Sequence, residues 1–566
     1  MSQEFNSVKI AINKRSTFDM SHHQVTTSDF GKIIPIACRE VLPGDKWTID
    51  PKVFIRLFPL AAPTYGYIKC RVHTFFVPNR IMWREWDNYI SGKSQQTPPY
   101  LTVGNMCHWL ATEKNFDSSN SNPRGLYSDV MSNLGLSPRK IIRKPAQGET
   151  GAWYPVLPTT FPISAFPYLA YQRIWFDWFR DSNLNQDEDW FNQFTSQSQM
   201  SEALTGILMA RRDACFKKDY FNTAKLRPQE GDQSSAVVTN SLASPISTNS
   251  NLQIKPDSTL RASNSSAGID SNVSQFVNIA AMRLASAYQR YKERHNYVGS
   301  RILDRIFADF GVKPSAERLD MAEFIGGYDF PVTIGDVTST SQYAVSSPWG
   351  TSGLGVQAGK GIASSQESHS MEYSAYEHGI LMSVMSILPD TGYYQGIHRM
   401  WTRGFNGDKH LEYFNQNFEN LGFQPILNRE LYVPEDTSYS NYDHGQVFGY
   451  SPRYSDYKFQ PDVLAGDFVY EDTSAAGDSF HLFRKLHYDN ANPIALNENF
   501  TACHNTANDF DRIFQVTDNQ LNHFSCDITV NAKATRNMAD FAEPSIAEVQ
   551  ESEGRKVDLP YGGTRL

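Results

Sequence analysis

The sequence is poor in the features that mark enzymes, secreted chains and membrane proteins. Its six cysteines (Cys38, Cys70, Cys107, Cys215, Cys503 and Cys526) include no C-x-x-C pair, so free thiols in a reducing cytoplasm are expected. No run approaches the roughly 20 apolar residues needed to cross a bilayer. The start, Met1-Ser2-Gln3-Glu4, carries no apolar stretch of the secretory kind. No membrane insertion is therefore expected. Positive charge is in deficit, with 52 Lys and Arg against 61 Asp and Glu and a net charge of -9. A free-standing nucleic-acid binder is normally basic. A chain with this balance that encloses a genome must rely on local cationic patches, bound cations or a separate basic partner.

Catalytic patterns are missing too. There is no G-x-S-x-G, and Ser455-Asp456-Tyr457-Lys458 fits S-x-x-K without a following K-T-G. The glycine stretch 353–361 fails as a phosphate cradle. Gly355 and Gly359 are one residue too close for G-x-x-x-x-G-K, and Gly361 stands where Ser or Thr should be; a mobile loop is the default. Cys503-His504 and His523-x-x-Cys526 bring too few close ligands for a recognised zinc site. On a strand of period two, His523 and Cys526 point to opposite faces, which suggests a buried thiol beside a surface imidazole. No catalytic residue, cofactor or metal ligand is assigned.

What is present points to β structure and buried contact. Hydrophobic residues make up 40% and charged residues 20%, enough for a packed core. The 28 Tyr and 35 Phe suit strands and subunit interfaces. Residues 1–32 read as a polar extended arm. In 66–77, Ile68, Cys70, Val72 and Phe76 share one face while Lys69, Arg71 and His73 share the other. Further strands are predicted at 379–388 and 523–532. Residues 80–91 predict a helix with Met82, Trp86, Tyr89 and Ile90 on one face. Residues 167–181 predict another, opened by Pro167, with a Tyr171, Ile174, Trp175, Trp178, Phe179 stripe. The Ser/Asn-rich stretch 231–275 is a long surface loop, and helical periodicity returns at 276–310 with Gly311 as its stop. Strong strands near both ends, with helices and loops between, fit an elaborated β-sandwich.

Two cationic clusters are candidates for contact with packaged DNA: Arg139, Lys140, Arg143 and Lys144, and Arg211, Arg212, Lys217 and Lys218. Phosphate contacts need only cations and donors, and the neighbouring Phe216, Tyr220 and Phe221 could stack on unpaired bases. The plainer alternative for either cluster is a solvated helix face or ion pairs between subunits.

Several segments carry a family resemblance. RSTFDMSH at 15–22, IIPIACREVLPGD at 33–45, VHTFFVPNRIMWREW at 72–86, AYQRIWFDWFRDSNL at 170–184 and KKDYFNTAKLRPQEG at 217–231 lead the set. FGVKPSAERLDMAEFIGG at 310–327, EHGILMSV at 377–384, YYQGI at 393–397 and VFGYSPRYSDYK at 447–458 follow in order. Together they resemble the major capsid protein of the Microviridae, closest to the gokushovirus type, across nearly the whole chain.

The resemblance implies a mainly β fold, an eight-stranded antiparallel jelly roll with long inserted loops and several α-helices. It implies an arm at 1–32 and one capsid domain at 33–545, with a helical and loop insertion at 80–230, the surface loop at 231–275, a helical insertion at 276–327 and a Gly-rich loop at 345–370. A tail at 546–566 ends the chain. The implied function is self-assembly into a T=1 icosahedral shell around circular single-stranded DNA, built in the host bacterial cytoplasm and located in the virion. The implied partners are further copies of the chain, the packaged DNA, a small basic DNA-binding virion protein, a pilot protein and a host cell-surface receptor met by the 231–275 loop. Trp83 and Trp86 are candidate interface residues. A carbohydrate-binding or carbohydrate-cleaving β-sandwich is the alternative and would show paired carboxylates near an aromatic groove; a spike protein is a second.

Overall fold

The computed structural model describes residues 7–10, 15–62, 64–113, 130–143, 154–184, 189–230, 260–261, 270–271, 279–298, 302–311, 320–338, 345–347, 350–352, 357–365, 369–405, 409–434, 443–469, 480–486, 494–503, 510–515, 522–538 and 555–558. Twelve strands and five helices carry the architecture. The strands are β1 (Ser16–Asp19), β2 (His22–Ser28), β3 (Ile34–Val41), β4 (Lys46–Leu57), β5 (Ile68–Pro78), β6 (Glu323–Thr338), β7 (Gln357–Ser364), β8 (Met371–Ser374), β9 (Gly379–Pro389), β10 (Phe423–Leu427), β11 (Val447–Pro452) and β12 (Phe524–Arg536). The helices are α1 (Val103–Glu113), α2 (Phe166–Ile174), α3 (Glu202–Met209), α4 (Ile279–Val298) and α5 (Ile302–Phe310).

One curled antiparallel sheet runs in the order β1-β12-β4-β7-β6-β5-β9-β3, with β2 also on β12 and β8 also on β4. The long strand β6 joins its two halves. Glu323–Val332 pairs with β5, and Thr333–Thr338 pairs with β7. Strands remote in sequence thus become neighbours, the mark of a jelly-roll β-sandwich with large insertions. The sheet has ten strands rather than eight, because the N-terminal residues add two of them.

Local chemistry explains the pairing. In β12, Phe524, Cys526, Ile528 and Val530 are buried while Asp527 and Thr529 face water, the period-two pattern of a half-covered strand. Every residue of β9 is buried. This strand lies between β3 and β5 and has α2 packed on it, so both faces are covered. Its buried Ser383 meets Thr74 across the ladder at 2.8 Å. Gly327 in β6 has no room for a side chain: a Cβ there would lie 2.6 Å from both the Val72 carbonyl oxygen and His73 Cδ2.

Four expectations need correction. Residues 16–28 of the presumed arm are strands paired to β12, and Phe30 is fully buried. Within the presumed Gly-rich loop 345–370, Gln357–Ser364 is a sheet strand. Within the helical insertion 276–327 the described helices are Ile279–Val298 and Ile302–Phe310, whereas the residues from Glu323 onward belong to β6. The helix expected at 80–91 breaks into Asn79–Met82 and Trp86–Ile90, because Trp83 leaves the helical path with an extended backbone. Met82 is then buried while Tyr89 and Ile90 are exposed. The stop at Gly311 is present, at φ +69°. The 231–275 loop lies outside the described residues apart from a short pairing of Leu260–Arg261 with Asp270–Ser271. In the C-terminal tail only Arg555–Asp558 is described, paired with Ser7–Ile10.

The helix predicted at 167–181 is α2 followed by a π-helical turn at Trp175–Phe179. Asp177 sits within the widened turn. Its carboxylate binds Arg173 at 2.8 Å and accepts the Ala322 N–H at 2.8 Å, while Trp178 Nε1 donates to the Ala322 carbonyl at 2.8 Å. The turn therefore fastens the helix to the entry of β6. A second, smaller core surrounds β10 and β11, where Tyr220, Phe221, Ile426, Leu431, Phe448 and Phe500 pack together.

Candidate assembly and nucleic-acid surfaces

The cationic clusters divide on folding. Arg212 belongs to the interior architecture. Its guanidinium lies 4.4 Å from the Trp175 ring centroid and 5.1 Å from that of Trp190, and its Nε donates to Gln172 Oε1 at 2.7 Å. Its backbone N–H donates to the Tyr171 hydroxyl at 2.9 Å. Burial holds its pKa below the usual guanidinium value. Arg211 reaches Asn522 at 3.3 Å. Lys217 and Lys218 are exposed, and Lys217 Nζ lies 4.0 Å from Asp390 Oδ1. Lys140 is exposed at the end of a short turn, Pro138–Lys140. The side chains of Arg139 and Arg143, and Lys144 altogether, lie outside the described residues.

The expected stacking aromatics are not available to bases. Phe216 sits in the main core, and Tyr220 and Phe221 form the second core. Trp83 is fully enclosed within the subunit, whereas Trp86 is half-buried, edge-on to Phe166 and His378. The Trp175 and Trp178 stripe is intramolecular packing.

One stretch of chain not singled out in the sequence exposes several large apolar side chains. Met400, Trp401, Phe405, Tyr413, Phe414 and Leu421 are exposed within 22 residues of chain, Trp401 at 72% and Phe405 at 85%. No periodicity marks this segment, because short helical turns and bends interrupt it. A cleft of about 370 Å³ adjoins it, lined by Tyr220, Phe221, Tyr393, Trp401, Phe459, Glu430 and Asp456.

Aromatics beside two carboxylates are what the carbohydrate-cleaving alternative demands, so the carboxylates' partners decide. Glu430 accepts the Leu427 N–H at 3.1 Å and the Tyr220 hydroxyl at 3.2 Å, and Arg399 is 4.0 Å away. Burial raises its pKa, which Arg399 opposes. Asp456 is bound by Arg403 and by Gln424 Nε2, the latter at 2.8 Å. Both acids are committed to holding the β10–β11 module together. The surface imidazole expected at His523 is also corrected: it is wholly buried against Asp29 and Asp511, because it stands one residue before β12 and does not follow that strand's alternation. Among the described residues, no helix is long and apolar enough to cross a membrane.

A curled jelly roll with helical and loop insertions, whose cleft acids are engaged in structural bonds, fits the class of viral coat subunits and gives the carbohydrate-cleaving alternative no free acid pair in that cleft. Sequence comparison gives the family. The model of the capsid protein (F protein) family matches residues 6–105 and 149–546, and the chain belongs to that family. Capsid protein VP1 of Chlamydia phage 1 is 26% identical over 97% of this chain and 98% of its own length. Capsid protein VP1 of Bdellovibrio phage phiMH2K is 24% identical over 86% of this chain and 87% of its own. That of Spiroplasma virus 4 is 24% identical over 80% and 82%. The expected Microviridae membership holds, and the protein is a structural capsid component of a phage virion rather than an enzyme.

Proposed function

We propose that many copies of this chain close into a T=1 icosahedral shell around a circular single-stranded DNA genome, assembling in the host bacterial cytoplasm. The observation that carries this reading is the exposure of the large apolar side chains Met400, Trp401, Phe405, Tyr413, Phe414 and Leu421. Interface centres are enriched in Trp, Tyr, Phe and Met, and these side chains are exposed on one short stretch of the chain. A neighbouring copy covers it, in heterologous contacts around five- and three-fold axes and isologous ones at two-folds. Trp86 adds to these contacts from its half-buried position.

Lys140, Lys217 and Lys218, with Arg139, Arg143 and Lys144, face the DNA phosphates, and Arg211 contributes in part. The net charge of -9 leaves most neutralisation to a small basic DNA-binding virion protein. A pilot protein is a further virion partner, and the polar 231–275 loop faces outward to meet a host cell-surface receptor.

Size-exclusion chromatography and electron microscopy of the expressed protein test the reading. Wild type is expected to yield closed shells, and a Trp401→Glu, Phe405→Glu variant folded single subunits. Wild-type protein that stays monomeric under every assembly condition, or a variant that still closes shells, overturns it.

A further inference from the structure

Asp29, Asp511 and His523 converge from three remote segments: the end of the N-terminal strands, the short turn Asp511–Ile513, and the residue just before β12. All three are buried, and one ligand atom from each lies within 4.8 Å of the other two. His523 Nδ1 stands 3.4 Å from Asp29 Oδ1 and 3.2 Å from Asp511 Oδ1. One ring nitrogen therefore faces two carboxylate oxygens, and a single N–H can point at only one of them. The spacing is also long for charge-assisted N–H···O bonds, which run about 2.7–2.9 Å. Ligands held about 2.0–2.2 Å from a tetrahedral ion sit roughly 3.3–3.6 Å from one another.

The ligands are pre-oriented. The His523 ring stacks on Phe514 at 4.4 Å and 13°. Its backbone carbonyl accepts the Phe58 N–H at 2.9 Å, and Asp29 Oδ1 accepts the Phe30 N–H at 2.8 Å. Such outer bonds fix first-layer ligands in metal sites.

We propose that Asp29, Asp511 and His523 bind a divalent transition-metal ion, Zn²⁺ or Mn²⁺. The imidazole and carboxylate set suits these ions, whereas Mg²⁺ and Ca²⁺ favour all-oxygen sets. The ion pins the point where the sheet-bound N-terminal strands turn into β3, tying that junction to the 510–515 turn and to β12.

The test uses tag-free full-length protein stripped with EDTA, dialysed against Zn²⁺ or Mn²⁺ and assayed by mass-spectrometric metal analysis and thermal unfolding. One ion per chain and a raised Tm are expected for wild type, with loss of the stoichiometric ion in Asp511→Asn and His523→Asn. Zn K-edge absorption on the wild type gives a second readout that needs no variant: a nitrogen and oxygen shell without sulfur is expected. Failure of wild type to bind either ion stoichiometrically, retention of the ion by folded variants, or a sulfur-containing shell each overturns the proposal.

Discussion

Arg212→Ala separates a cation that holds the fold from the cations proposed to meet DNA. Removing the guanidinium abolishes its bond to Gln172 Oε1 at 2.7 Å and its contacts with the Trp175 and Trp190 rings at 4.4 and 5.1 Å. Hydrogen bonds to charged groups contribute about 1.5–3 kcal/mol, and a partly desolvated cation–π contact adds about 0.5–2 kcal/mol. The expected loss is about 2–5 kcal/mol of unfolding free energy. Urea unfolding of the isolated subunit, followed by circular dichroism, measures it. Fluorescence anisotropy with a single-stranded oligonucleotide, at several salt concentrations, measures the other quantity. Arg212→Ala is expected to leave affinity and its salt dependence unchanged. Lys217→Ala, Lys218→Ala should leave stability unchanged but weaken binding, with the log–log salt slope reduced by about 1.4 if each lysine meets one phosphate. An Arg212→Ala protein of wild-type stability that binds DNA less tightly would refute the assignment of Arg212 to the interior.

Three further outcomes follow from particular environments. Burial, aided by Arg71 and opposed by Asp329, pushes the His73 pKa down from 6.5 to about 4. The unfolded chain thus takes up this proton first as pH falls, so this contribution to stability, up to about 3 kcal/mol, is present above pH 6.5 and lost towards pH 4; His73→Gln should flatten that slope in unfolding titrations. Gly327→Ala forces a Cβ to within 2.6 Å of the Val72 carbonyl oxygen and His73 Cδ2 and should cost about 1–3 kcal/mol, read as a lowered urea midpoint. Burial raises the thiol pKa of Cys70 and Cys503 well above normal and that of Cys526 to about 12, so iodoacetamide at pH 8 should label these three only after unfolding, as mass mapping would show.

The sequence made some elements legible because their causes are local. Strands β5, β9 and β12 announce themselves by alternation or by an unbroken apolar run, and the α2 stripe by its helical spacing. The tie of this helix end to β6 is not legible, since Asp177 meets the Ala322 N–H 145 positions away. Strand β7 was hidden by its glycines, yet at Gly361 a Cβ would lie 2.6 Å from Leu57 Cδ2 across the sheet. The basic run 211–218 gave no means of separating Arg212 from Lys217, because Gln172, Trp175 and Trp190 are distant in sequence. His523 was assigned to the surface by strand periodicity, and only folding brings Asp29 and Asp511 to it. The jelly roll itself came from family resemblance, since strand patterns alone do not specify which remote strands pair.

Electron cryomicroscopy of purified particles tests the central claim most directly. The account predicts closed T=1 shells of jelly-roll subunits in which Trp401 and Phe405 are covered by an adjoining copy. Particles with a different lattice, or shells in which both rings remain in solvent, would contradict it.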